Sequence, residues 1–338
     1  MEHANNIPAE WAKHKAIWTC WPSAADLWGD DLESARAEVK AMVEALITPQ
    51  NGGRDFVKLL VSGNAALKSA QFAFGQSVEI IEIPFGDVWL RDTGPIFAKC
   101  KSGKSLALCF GFNGWGGKYI LDNDDSVNVK LSVAAGVDYK LIDFVLEGGS
   151  IDGNGEGVFL TTTQCLLNPN RNPNLTKPEI EKLLSESLGA EQILWLEDGL
   201  LNDHTDGHID NIARFIGKNK IICQSAFGDD DPNAIILDKI YADLCSMTDL
   251  HGNNFEIIRA PSPGRVLNPE GDIVPASHMN FIIGNGTVVM PHYSTPSVDE
   301  ALRVLADCFP SHKIIGIDAT AILTGGGSFH CITQQEPE

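Results

Sequence analysis

A chain of 338 residues that is 43% hydrophobic and 21% charged is long enough for a substantial core and ordinary for a globular protein, but its net charge of −20 is not ordinary. That charge argues against nucleic acid and anionic membrane surfaces as partners and suits a small cation, although a plain solvated acidic surface fits it equally. No apolar run approaches the roughly 20 residues that span a bilayer, no signal peptide opens the sequence, and the eight cysteines include no Cys-x-x-Cys pair, so a reduced, cytoplasmic protein is expected, most of its cysteines being small buried hydrophobes.

The predicted elements begin at residues 77–84 (SVEIIEIP), which alternate as a strand, followed by DVWLRDTGPIFAKC, a glycine turn at 101–104 and SLALCFGF, the pattern of a hairpin. A short helix is expected near 126–135. The order then returns: strand YKLIDFVL, EGGSID, the turn GNGEG and VFLTTT. A helix follows, with Thr176 and Glu179 as a capping box, Pro178 in the first turn and Gly189 at the end. After strand QILWLE comes a second hairpin, GHIDNIARFIGKNKIICQS, turning at 217–220, and a helix over 231–247. Strand FEIIRA precedes the hairpin ASHMNFIIGNGTVVMPHY, which turns at 284–286. Ser297 and Glu300 open a helix ending at Cys308, and strand HKIIGID leads to GGGSFHCITQQ.

Strand, polar signature, hairpin and helix thus recur with a period of roughly 50 to 70 residues. Five signatures occupy equivalent places, at 89–92, 147–149, 208–210, 277–280 and 325–331. Modules arranged radially present the same edge to one axis, so distant signatures converge on one site.

Cys331 is the candidate nucleophile, because a thiolate attacks electrophilic carbon and three preceding glycines allow close backbone approach or positive φ. A structural cysteine is the plain alternative. If Cys331 lies on a strand, the adjacent His330 faces away, and the working histidine is His208. His208 and Asp210, two apart, project from one face of a strand and suit acid/base and cation-binding work, or form a satisfied polar pair. Asp92 either pairs with Arg91 or recognises a planar cation, and Trp89 is a pocket wall or ordinary core. Glu147 ends a strand in solvent or orients His208.

Other signals carry less. His204 and His208 imitate a metal pair, but Thr205 stands where H-E-x-x-H needs glutamate. GNGEG joins strands rather than opening a helix. The acidic runs 122–125 and 229–231 lack EF-hand spacing and read as solvated loops.

Taken together, PAEW, WTCWP, DVWLRDTGP, GFNGWGGKY, EGGSID, TDGHIDNIARF, PASHMNF and GGGSFHCITQQEP, in that order from end to end, resemble the agmatine deiminase family of guanidine-modifying enzymes. The resemblance implies one domain over 1–338 with a five-bladed pseudosymmetric α/β propeller, the pentein fold. It implies hydrolysis of agmatine to N-carbamoylputrescine and ammonia, a step of polyamine formation. Cys331 is then nucleophile and His208 general acid/base, Asp92 and Asp210 grip the guanidinium, and Glu147 supports His208. Trp89 and Asn280 complete the substrate-binding set, and no metal or organic cofactor is implied. His278, Met279 and Phe329 depart from residues common in relatives and bear on pocket shape. Peptidyl arginine is the rival substrate, and a catalytically silent guanidino-binding propeller the rival from another class. Oligomeric state is not legible, with a homodimer left as an open expectation.

Overall fold

In the computed structural model, which describes residues 4–50 and 53–338, each predicted hairpin gains a third strand that runs parallel to its second. Ile96–Cys100 pairs antiparallel with Ser105–Gly111, which pairs parallel with Asp138–Val145. The same pattern holds for Ile151–Gly153, Val158–Thr162 and Gln192–Leu196. It holds for Ala213–Gly217, Lys220–Ser225 and Glu256–Pro261, and for Ile282–Ile283, Thr287–His292 and Lys313–Asp318. A parallel return requires a crossover, and helices Val127–Ala135, Lys177–Leu188, Ala234–Ser246 and Val298–Cys308 supply it.

The fifth sheet joins the two ends of the chain. Thr333–Pro337 pairs antiparallel with His14–Cys20, which continues parallel to Val57–Val61 and Glu79–Glu82 through helices Leu32–Ile47 and Asn64–Phe74. Helix Leu32–Ile47 turns Ala35, Val39, Met42, Val43 and Leu46 inward, a spacing that lines one helical face. The terminal strand is locked by buried Glu336, whose carboxylate accepts from Lys15 Nζ at 2.6 Å and Trp18 Nε1 at 2.9 Å. The architecture is a mixed α/β fold of five small sheets with helices packed between strands.

The helix signals hold at Lys177–Leu188, where the Thr176 amide donates to Glu179 Oε2 at 2.8 Å and Gly189 takes a left-handed φ of 72°. Ser297 does not cap its helix. Its backbone is already helical, and its hydroxyl lies 3.1 Å from that of Thr295. Neither acidic run is simply solvated. Asp124 is buried and accepts from the Gly86 amide at 2.7 Å, and Asp231 is buried and bonded to Ser262 and the Phe227 and Asn233 amides.

Candidate active site

The five signatures stand just before strands Ile96–Cys100, Ile151–Gly153, Ala213–Gly217, Ile282–Ile283 and Thr333–Pro337, one in each sheet, but none lies on a strand. Residues 90–93 form one helical turn, Leu90–Thr93, and Gly148–Ser150 and Ile209–Asn211 are single 3-10 turns. Cys331 sits in a turn that ends where strand Thr333–Pro337 begins. Strand alternation therefore does not orient these side chains. The turns bring Cys331, His208, Asp210, Asp92 and Glu147 together in a buried cluster.

The Cys331 sulfur accepts from Asn280 Nδ2 at 3.1 Å and lies 3.7 Å from Asp210 Oδ2. The Cys331 amide donates to Asn280 Oδ1 at 3.2 Å, so one asparagine grips both ends of the residue. Burial, then the charges of Asp210 and Asp92, push the thiol well above its ordinary pKa, which keeps it protonated while those charges stand alone.

His208 Nδ1 is 3.8 Å from Asp92 Oδ1, and neither ring nitrogen has a hydrogen-bond partner among the described residues. Burial opposes the charged ring, but the carboxylates of Asp92, Glu147 and Asp210 outweigh it and hold its pKa above 6.5. Burial lifts the Asp92 pKa above 3.8, against the pull of His208. Asp92 is held by the Gly149 amide and by Trp115 Nε1, both at 2.9 Å. The groups converge so tightly on Gly149 that a Cβ there would lie 2.6 Å from His208 Nδ1, 3.0 Å from Asp92 Oδ1 and 3.1 Å from Asp210 Oδ2. The Glu147 partner is Arg171, whose Nε donates at 2.6 Å. Glu147, Cys165 and His208 each bring one ligating atom within 4.8 Å of the others. The Arg171 guanidinium against Glu147 opposes a further cation there.

Above the thiol opens a cavity of about 240 Å³, lined by Cys331, Asp92, Trp89, Trp28, Trp115, Tyr119, Leu27, Leu121, Asp87, His204, Thr205, Thr324 and the glycine triplet. The triplet serves close packing. A Cβ at Gly327 would lie 2.5 Å from the Trp89 ring, and one at Gly325 2.7 Å from it. Trp89 is thus a wall residue, near-parallel to Trp28 with ring centroids 6.3 Å apart. Buried Asp87 takes both indole N–H groups, Trp28 at 2.9 Å and Trp89 at 2.8 Å. Trp115 reaches its place with a positive φ of 52° inside the glycine-rich loop. Among the described residues no lysine or arginine lines the cavity.

Over residues 6–337 the sequence matches the family of Porphyromonas-type peptidyl-arginine deiminases. The chain belongs to this deiminase family. It is 34% identical to the agmatine deiminase of Pseudomonas aeruginosa, over 98% of this chain and 95% of that one. Its fold is similar to agmatine deiminase of Enterococcus faecalis, with a TM-score of 0.91, 32% identity and coverage of 98% and 95%. It is also similar to a Cys-to-Ser variant of C. jejuni agmatine deiminase with substrate bound, with a TM-score of 0.89, 33% identity and coverage of 98% and 96%.

Several features of this family member depart from the sequence reading. Arg91 does not pair with Asp92. Its guanidinium donates to Gln334 Oε1 at 3.0 Å, Gln335 Oε1 at 2.7 Å and the His330 carbonyl at 3.3 Å, fixing the nucleophile's turn from behind. His330 is not turned by strand alternation: the strand starts two residues later than expected, and the ring, on the side of Cys331 remote from the cavity lining, meets Asp210 at 2.8 Å and Glu10 at 2.9 Å. Asn280 contacts the thiol and does not line the cavity. His278, Met279 and Phe329 are core residues away from the lining. His204, dismissed as half of a metal pair, lines the cavity and stacks on Tyr119 at 5.9 Å. The sequence assigns no role to Glu10, Arg171, Arg214, Asp87 or Trp115, though PAEW, TDGHIDNIARF, DVWLRDTGP and GFNGWGGKY hold four of them.

Proposed function

We propose that the protein is a hydrolase that deiminates agmatine to N-carbamoylputrescine and ammonia, a step toward putrescine, through a covalent thiouronium on Cys331. The observation that carries this reading is a thiol beside two buried carboxylates beneath an aromatic cavity with no lysine or arginine among its described lining residues. The family, and relatives named agmatine deiminase that align over nearly the whole chain, support it. The five sheets are read as blades of a pseudosymmetric propeller over a single domain, each giving one signature to the axis.

A guanidinium beside Asp92 and Asp210 cancels the two charges that hold the thiol proton, so binding itself favours the thiolate, with that proton released to solvent. Cys331 then adds to the guanidinium carbon. His208, protonated in the free enzyme and still beside Glu147 when the guanidinium is bound, gives its proton to a departing nitrogen, which leaves as ammonia. The thiouronium remains on sulfur. Neutral His208 takes a proton from water as the oxygen adds to the same carbon, and collapse expels the thiolate and the ureido product. Glu147, held by Arg171, sustains the charge of His208.

The far end of the cavity suits an alkylammonium. Trp28, Trp115 and Tyr119 offer ring faces, and Asp87 adds negative charge. The carboxylate of free arginine finds no counter-charge in the lining. Ammonia release is expected with agmatine and little with arginine or peptidyl arginine. Preference for peptidyl arginine would overturn the substrate, and no turnover of any guanidine would overturn the enzyme reading.

A further inference from the structure

Asp210 uses its two oxygens differently. Oδ2 meets His330 Nδ1 at 2.8 Å and lies 3.7 Å from the Cys331 sulfur, whereas Oδ1 is buried with no protein partner among the described residues. The opposite ring nitrogen, Nε2, meets Glu10 Oε2 at 2.9 Å. Glu10 is in turn fixed by Arg214 and by the Ile283 amide at 2.9 Å. Both ring nitrogens of His330 are therefore engaged, which removes it from acid/base work and makes it a strut between two carboxylates. Its backbone is equally fixed, with its amide on the Asn280 carbonyl at 3.1 Å and its carbonyl accepting from Arg91 Nε at 3.3 Å.

An aspartate carboxylate turns easily about its last torsion. Holding one oxygen fixes the plane and so aims the other. The bond from His330, strengthened by charge, also helps keep the Asp210 pKa below 3.8 despite burial, which preserves the anion a cation needs.

We propose that His330 is a positioning residue for guanidine binding: it clamps Oδ2 of Asp210 and thereby presents Oδ1 to the guanidinium, with Glu10 and Arg214 setting the plane of its ring. This rests on the guanidine-deiminase reading above.

Two near-isosteric substitutions separate its two bonds. His330→Asn places an amide N–H where Nδ1 stands and keeps the Asp210 bond. His330→Gln places one where Nε2 stands and keeps only the Glu10 bond. Agmatine binding is measured by calorimetry in an unreactive Cys331→Ala parent. His330→Asn is expected to bind within about threefold of the parent and His330→Gln about tenfold more weakly, the size of one charge-assisted hydrogen bond. In an Asp210→Asn background, His330→Gln is expected to change affinity by less than about twofold, because its effect passes through Asp210. Equal affinities for the two variants, or an undiminished loss in the Asp210→Asn background, would overturn the clamp. A parent that binds no guanidine overturns the underlying functional reading and the clamp with it.

Discussion

The two sides of Cys331 are built on opposite principles. On the cavity side, polar groups are left open: the walls are indole and phenol rings, and His208, buried behind the lining residue Asp92, has no hydrogen-bond partner on either ring nitrogen among the described residues. On the rear side, Glu10, Asp152, Arg214, His330 and Arg91 pair with one another, with Gln334 and Gln335, or with backbone, beside a space of about 50 Å³. Buried charge is costly unless paired. The rear meets that requirement within the protein, whereas the front leaves it to be met by a cation. The difference separates residues that hold the site's shape from residues that await a ligand, and each can be disturbed alone.

Removing the thiol attacks only the front. Cys331→Ala is expected to lower turnover by about 10⁴-fold or more while leaving agmatine binding and thermal stability near those of the parent. Parallel loss of binding and stability would show that the two sides are not separable. Breaking the rear should do the reverse. Arg214→Gln strands Glu10 and Asp152, and chemical denaturation is expected to show a loss of about 3–5 kcal/mol.

Gly149→Ala probes the seam between the sides. Its Cβ must displace His208, Asp92 or Asp210, and a displacement near 1 Å is expected to lower kcat about 10²-fold. Wild-type kinetics there would mean that the convergence on Gly149 has no catalytic role.

The smallest effect concerns pH. His208 must be protonated to release ammonia, and its pKa is raised by the carboxylates around it, so kcat/KM is expected to fall only as pH rises through that raised pKa, above the ordinary histidine range. Glu147→Gln removes one of the carboxylates that raise it, so the alkaline limb should move to lower pH. An unmoved or upward-shifted limb would remove Glu147 from this role.

Local chemistry made much of this legible. Glycine turns and the Thr176 capping box write the hairpins and a helix directly into the sequence, and the repeated order brings Asp92, Glu147, His208, Asp210 and Cys331 to equivalent places. What stayed hidden is what local chemistry does not encode. The contacts of His330 are hidden because the last strand begins at Thr333 rather than Cys331, a boundary set by pairing with His14–Cys20 at the far end of the chain. Glu10 lies 320 residues from His330, and no spacing rule links them. Arg171 sits in a segment that reads as plain loop, and only the folded chain sets its guanidinium against Glu147. The glycine triplet does permit close approach, and what approaches is the Trp89 ring.

The central claim is that Cys331 bonds to the guanidinium carbon. Acid quenching during steady turnover of agmatine, followed by peptide mass spectrometry, tests it most directly. An agmatine-dependent mass increase on the peptide that bears Cys331 is the predicted result. An adduct on another residue, or an unmodified Cys331 together with undiminished turnover by Cys331→Ala, would contradict it.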